Sequence, residues 1–354
     1  MAKKVGVLGA TGMVGQRFLQ YLDGHPQFKA TALFASSRSA GKKYSTTEKW
    51  TIEAQLPKWA SGMRLQETTA KAVADSGVDF VFSALPSDVA GDIETKIAGK
   101  GIPVFTNAAA HRMDKGVPLM VPEINADHLE LAKRKIKGGG APIIANANCS
   151  TTGLVMGLKP LADIFTIQDV VVSTYQAVTG AGNRGLDLLR QPFNVIPYIQ
   201  KEEHKMETES RKIMGTLNGS SIKPAKFSII ASCARVWVRD GHLESVVVKV
   251  KEKPTLAEVR RAFSKFKSPV AAKKLHTAPR KPIVLFRDEG RPQPALDAWL
   301  GESEGLPGMS VGVGQVRVSK DGRIRFFVLS NNTIRGSAGG SVENAELAHA
   351  EGLI

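Results

Sequence analysis

A chain of 354 residues carrying a formal net charge of +15 has room for about two domains of ordinary size. Its 42% hydrophobic and 23% charged residues are the composition of a soluble globular protein, and no apolar run approaches the roughly 18 residues that a membrane helix needs. Two cysteines, at 149 and 233, make neither a metal-ligand pattern nor a disulfide framework, so a reducing cytoplasm is expected.

The basic, apolar start "MAKKVGVLGATGMVG" is too short and too glycine-broken for a secretion signal. It reads instead as a strand, a turn, and a helix opening near Met13. Gly9, Gly12 and Gly15, interleaved with Thr11, Met13 and Val14, lie where backbone N–H groups and a helix start can hold a pyrophosphate. "FKATALFAS" is the second strand, and "VDFVFSALP", "IPVFTNAAA" and "APIIANAN" are later ones. Helical patterns "TAKAVADS", "AGDIETKIAGK" and "INADHLELAKRKI" separate them, as a doubly wound parallel sheet requires. After the second strand a chain that prefers NAD carries an acidic residue, whereas here Ser36, Ser37, Arg38 and Ser39 offer hydroxyls and a guanidinium. These suit a 2′-phosphate, and NADP is the expected cofactor.

Past residue 150 the strands become β-branched and alternating: "DVVVSTYQAVTG", "KFSIIASCARVWV", "ESVVVKVKEK", "SVGVGQVRVS" and "IRFFVLSNN". "TLAEVRRAFSKF" supplies an amphipathic helix and "GSAGGSVENAELAHAEGLI" a closing one. The fold class is therefore α/β: a Rossmann-like dinucleotide-binding domain over 1–148, completed by 331–354, and an α+β domain over 149–330 with a mainly antiparallel sheet. The basic residues alternate with apolar ones and no aromatic ladder accompanies them. They read as solvated faces that attract small anions, with no nucleic-acid or membrane partner.

Cys149, in "NANCSTT", follows a strand and opens a helix, with hydroxyl residues behind it for capping. A helix start lowers a thiol pKa, and only the thiolate is a strong nucleophile. On these residues alone, a buried inert cysteine stays an equal alternative. Cys233 reads as a structural thiol on its strand. His111, His128, His204, His276 and His349 share no metal-like spacing, and no metal is expected.

"GATGMVGQRF", "NANCSTTGL", "TYQAVTGAGNRG", "EEHKMETESRKI", "ARVWVRDGH" and "NNTIRGSAGG" follow one another across nearly the whole chain. Together they resemble the aspartate-semialdehyde dehydrogenases, in particular their archaeal and fungal branch. The resemblance implies NADPH-dependent reduction of L-aspartyl 4-phosphate to aspartate 4-semialdehyde and phosphate, serving lysine, threonine and methionine synthesis. It also implies a homodimer or homotetramer that joins through the second domain. By motif, Cys149 would attack the acyl phosphate, with Gln176 nearby and His242 as the acid/base group. Arg235 would grip the substrate carboxylate. Glu202 would take the ammonium, Lys205 and Arg112 the phosphate, with Asn148 beside the thiol and Asn332 reaching the nicotinamide. Seven residues separate Arg235 from His242, so on one regular strand they would face opposite ways, and a turn at "RDG" must re-aim the histidine.

The bland readings are a surface ion pair for Glu202 and Lys205, a strand-edge cation for Arg235 and an exposed turn residue for His242. Two motifs depart from the family pattern: Ala147 replaces the usual proline, and Asn183 and Arg184 replace the usual Tyr-Pro. A malonyl-CoA reductase is the nearest rival, but its substrate has no ammonium to need Glu202. "GCYPT" and the acidic residue of NAD-dependent glyceraldehyde-phosphate dehydrogenases, marks of two other relatives, are missing. A non-enzymatic dinucleotide-binding regulator would give Cys149, Gln176 and His242 no common purpose.

Overall fold

A computed structural model describes residues 2–47, 50–190, 192–301 and 307–354. Seven short strands build the first sheet: β1 (Lys3–Leu8), β2 (Phe28–Ala35), β3 (Gln66–Glu67), β4 (Phe80–Ser83), β5 (Val104–Thr106), β6 (Leu119–Met120) and β7 (Ile143–Asn146). Their order is β3-β2-β1-β4-β5-β7-β6, and every pairing is parallel. β3 and β6 are two residues each, too short to show a period in sequence. The first helix runs over Met13–Leu22 with Gly12 at its N-cap. The helix Gly339–Ala350 is buried over nearly its whole length and packs on the Met13 helix, β5 and β7. Its buried Glu343 and Glu346 are not left unpaired: Arg335 bonds the first, while His25 and Thr277 bond the second.

The rest of the chain supplies β8 (Ile167–Gln176), β9 (Val195–Ile196), a hairpin of β10 (Thr216–Asn218) and β11 (Ser221–Lys223), β12 (Ser228–Val236), β13 (His242–Val250), β14 (Ile283–Leu285), β15 (Val311–Val318) and β16 (Ile324–Ser330). All but the hairpin form a second sheet, ordered β14-β15-β16-β13-β8-β12-β9. Four of its six pairings are antiparallel, with β12 on β8 and β14 on β15 the parallel ones. Alternation sends Val170, Val172, Thr174 and Gln176 of β8 inward, and leaves Val171 and Tyr175 on an exposed outer face.

The helix Cys149–Ala162 links the two halves. Apolar on all sides, it is buried almost throughout, in a core shared with Val170, Val172, Val246, Phe326 and Val328. The helix Glu202–Ile213 lies beside it and crosses β12. Burying the apolar side chains of such a layer contributes on the order of 1.5–3 kcal/mol each. The start of the Cys149 helix is therefore held rigidly at the carboxyl edge of the first sheet, where open parallel sheets bind ligands.

Candidate active site

The side chain that caps the Cys149 helix comes from in front of the thiol. Asn148 Oδ1 accepts the N–H groups of Ser150 and Thr151, both at 3.0 Å. The hydroxyl residues behind the thiol, expected as caps, are buried in the helix instead. Cys149 is thus the first helical residue, and its Sγ lies 3.2 Å from His242 Nε2.

Arg235 and His242 occupy different strands. Arg235 is on β12, opposite Gln176 of β8, and His242 opens β13 on the other side of β8. The loop between them turns through Gly241 at φ +96°. No strand has to be re-aimed, because three neighbouring strands present Arg235, Gln176 and His242 on the same inward face. All three are buried, so neither a strand-edge cation nor an exposed turn histidine describes them.

Residue Ala177 ties this row together. Its N–H donates to His242 Nδ1 at 3.0 Å, and its carbonyl accepts Arg235 Nη1 at 2.8 Å. Gly180 then lies flat over the pair: a Cβ there would stand 2.7 Å from Arg235 Nη1 and 3.1 Å from His242 Nε2. Gln176 Nε2 donates to Thr174 Oγ1.

The Glu202 helix faces this row with a line of charges. Glu202 is buried. It accepts Asn148 Nδ2 at 3.0 Å and Lys205 Nζ at 3.2 Å, so the pair is no surface ion pair. Glu209, two turns on, takes Arg112 Nη1 on one oxygen at 3.1 Å and the Asn148 N–H on the other at 2.8 Å. Arg112 Nη2 donates to Asn107 O, and its Nε is buried with no hydrogen-bond partner among the described residues. Lys212 Nζ donates to the carbonyls of Arg112, Asp114 and Val117, which fixes the turn that carries Arg112. Glu209 and Lys212 escaped the sequence reading. Their signal was helical spacing, since 209 and 212 repeat the face of 202 and 205.

Burial dominates the protonation states. It pushes the Cys149 thiol up to about 12; Glu202 adds to this, and Arg235, Arg112 and Lys205 offset it in part. The lowering expected of a helix start is outweighed by the desolvation of the thiol among the packed residues around it. Burial, reinforced by the Arg235 cation, holds His242 well below the usual imidazole value. The resting pair is a neutral thiol beside a neutral ring.

Arg112, Asn148, Cys149, Gln176, Glu202, Lys205 and Arg235 line one open cleft with about 320 Å³ of free space, bounded by Val14, Leu85, Ser87, Asn107, Thr179 and Ser337 as well, while His242 is fully buried. Val14, in the first turn of the helix that follows the glycine turn, is part of the cleft wall. Gly9 sits at φ +70° with a would-be Cβ 2.7 Å from the Ala84 carbonyl oxygen, so only glycine fits. Beyond it the Met13 helix begins with no side-chain cap, leaving the N–H groups of Met13 and Val14 toward the cleft end. Thr11 O accepts Gln16 Nε2. Ser36, Ser37 and Arg38 are exposed in the turn after β2, with Ser39 buried beside them. Asn332 lines the cleft, with Oδ1 accepting the Gly241 N–H and Nδ2 donating to Thr179 Oγ1, both at 2.9 Å. Cys233, on the inward face of β12, is buried against Met206 and does not line the cleft. Among the described residues no helix is long and apolar enough to cross a membrane.

Comparison with known proteins gives a consistent set of similarities. Residues 4–132 match the family model described as semialdehyde dehydrogenase, NAD binding domain, and residues 158–335 match semialdehyde dehydrogenase, dimerisation domain. The chain is 45% identical to the aspartate-semialdehyde dehydrogenase of Methanothermobacter thermautotrophicus, covering 97% of this chain and 98% of the relative. It is 40% identical to that of Aspergillus fumigatus, over 99% of this chain and 98% of the relative. A crystal structure of aspartate semialdehyde dehydrogenase with NADP from Candida albicans superposes with a TM-score of 0.89 at 38% identity, covering 100% of both chains.

Proposed function

The chain belongs to the aspartate-semialdehyde dehydrogenase family, and we infer that its cleft carries out the reaction for which those relatives are named. That reaction is the NADPH-dependent conversion of L-aspartyl 4-phosphate to L-aspartate 4-semialdehyde and phosphate, on the route to lysine, threonine and methionine. The observation that carries the reading is the Cys149 Sγ at the first turn of a buried helix, 3.2 Å from His242 Nε2, among charges that match the substrate's own.

Cys149 is the nucleophile that forms the thioester, and His242 is the acid/base partner hydrogen-bonded to it. Gln176 lies between His242 and Arg235 and borders the reacting carbonyl. Arg235, its guanidinium braced by the Ala177 carbonyl, takes the α-carboxylate. Glu202 takes the ammonium. Lys205, Arg112 and Asn148 surround the phosphate, to which the unpartnered Arg112 Nε gives a ready donor. The buried carboxylate of Glu202 also weighs against a CoA ester, which brings no ammonium to offset it.

The residues present fit a dinucleotide. Gly9 and Gly12, with Thr11 between them, form a turn before an uncapped helix start whose Met13 and Val14 amides would meet a pyrophosphate. Ser36, Ser37, Arg38 and Ser39 are placed for a 2′-phosphate, and Asn332 forms the wall beside the nicotinamide. When bound, NADPH supplies the hydride that the thioester carbon accepts.

Residues 1–148 with 331–354 act as the nucleotide domain, and 149–330 as the catalytic and dimerisation domain. The apolar outer face of the second sheet, with Val171, Tyr175 and Ile230 exposed, supports a homodimer or homotetramer. The reading places the enzyme in the cytoplasm. It is tested by the reverse assay: aspartate semialdehyde, phosphate and NADP should yield NADPH with the wild-type chain and none with Cys149→Ala. Malonyl-CoA offered with NADPH should give no turnover.

A further inference from the structure

The turn that carries Arg112 is clamped at its ends by one side chain. His111 and Asp114 begin and close a four-residue turn in which the Asp114 N–H donates to the His111 carbonyl at 3.1 Å. The same two residues meet again through their side chains, with His111 Nδ1 at 2.7 Å from Asp114 Oδ2. Arg112 is the second residue of this turn, so whatever holds the ends also sets its backbone. The other ring nitrogen, Nε2, lies 3.2 Å from the Gly91 carbonyl, in the helix Ser87–Ala98 that follows β4. The ring is buried, while the Asp114 carboxylate is half-exposed.

That helix follows the loop with one face. Ser87 Oγ accepts the Ala109 N–H at 3.1 Å, and a Cβ on Gly91 would touch the Ala110 Cβ at 3.4 Å. Glu94 Oε1 accepts the Thr106 hydroxyl at 2.7 Å. Spacings of four and three put positions 87, 91 and 94 on one side of a helix. Of these contacts, the one made by His111 stands directly before Arg112 in the chain. The Gly91 carbonyl and the Asp114 carboxylate only accept, so a ring that bonds both at once presents an N–H at each nitrogen. Glu209 and Lys212 hold Arg112 and its turn from the opposite side, on the Glu202 helix. The arginine is therefore tethered from both halves of the molecule.

We propose that His111 is a positioning residue for the phosphate end of the cleft, its ring a strut between the helix Ser87–Ala98 and Asp114 that fixes where Arg112 points. The inference rests on the reading that Arg112 meets the substrate phosphate, and it names what places that arginine. His111 itself does not line the cleft, so it acts through its neighbour and not on the substrate.

The test uses the full-length enzyme at about pH 6.5, where an imidazole readily carries two N–H groups. KM for phosphate and KM for NADP are measured in the reverse assay. Inorganic phosphate is also titrated in thermal melts, which read its binding without turnover. In His111→Ala the KM for phosphate should rise about tenfold, the scale of losing the hydrogen bonds that place a binding group. The phosphate concentration needed to raise Tm should shift by the same factor. KM for NADP, and kcat at saturating phosphate, should change by less than about twofold. His111→Asn keeps a donor near the Nδ1 place and His111→Gln one near the Nε2 place, so each should recover no more than part of the loss. Asp114→Ala should raise the phosphate KM by itself and add nothing to His111→Gln, which has already lost that bond. These variants carry the test if His111→Ala does not fold. A wild-type phosphate KM in His111→Ala, equal rises in both KM values, full recovery by Asn or Gln, or additive losses in the double variant each overturn the proposal. Arg112→Ala separates the strut from the reading beneath it. Unchanged phosphate binding in that variant would sink the role of Arg112 itself, and the purpose of the strut with it.

Discussion

Gly336 rests directly on the backbone of Cys149. A Cβ at position 336 would stand 2.7 Å from both Cα and Cβ of the cysteine. The stretch Ile334–Ala338 can pass over the helix start only because residue 336 has no side chain; Ser337 within it and Asn332 just before it reach the cleft. Gly336→Ala must therefore push either the thiol or the segment out of place. A misplacement approaching 1 Å costs on the order of a hundredfold in rate. The expected result is a folded protein whose kcat falls at least tenfold, checked by reverse-assay kinetics beside a circular-dichroism melt. Unchanged kcat would show that the close approach is not needed.

Glu202→Gln should move two properties in opposite directions. The carboxylate is one cause of the raised thiol pKa, so its removal makes the thiolate easier to form and shifts Cys149 alkylation toward lower pH. The same change removes the charge offered to the substrate ammonium. Hydrogen bonds to charged groups contribute about 1.5–3 kcal/mol, so KM for aspartate semialdehyde should rise roughly ten- to hundredfold. A variant whose thiol reacts at the wild-type pH would contradict the electrostatic account.

Glu209→Ala leaves Arg112 buried without its carboxylate and the Asn148 N–H without an acceptor. Breaking a buried pair on one side costs about 3–5 kcal/mol, which a denaturant titration should detect. KM for phosphate in the reverse assay should rise more than KM for NADP, because the proposed reaction puts both of the loosened residues at the phosphate end of the cleft. Equal changes in the two would mean that Glu209 serves stability alone.

Arg38→Ala addresses the cofactor. Its guanidinium is exposed in the turn after β2, with nothing in the site depending on it for shape. KM for NADP should rise about tenfold with little effect on KM for NAD, the scale of one charge-assisted contact to phosphate. If both cofactors weaken alike, the 2′-phosphate is bound elsewhere.

Much of this site could be read before any coordinates. The strand-turn-helix at Gly9 to Val14, the thiol at a helix start and the Glu202–Lys205 face are local patterns, and local patterns survive in one dimension. The protonation of Cys149 was not legible, because burial depends on which distant segments close over the sulfur, and here burial outweighs the helix start. The pairing of Arg235 with His242 was misjudged for a similar reason. Their separation in sequence says nothing of the strand β8 that lies between them in space. Ala177, whose contributions come from its backbone, leaves no chemical signature in a sequence at all. Asn183, one of the departures from the family pattern, accepts the Thr51 hydroxyl at 3.1 Å and so serves a contact between distant loops that residue type does not announce.

The helix Gly339–Ala350 has a further consequence for how the protein is made. It covers strands β5 and β7, which leave the ribosome long before it does. Until the helix emerges, Phe105, Ile144 and the inner side of the Met13 helix lack part of their apolar cover. The nascent first sheet is thus a surface that chaperones can hold, and the nucleotide cradle acquires its final rigidity only after the second sheet has been synthesised. A nascent chain stalled before Gly339 should stay protease-sensitive in its first sheet, although every strand of that sheet is already outside the tunnel.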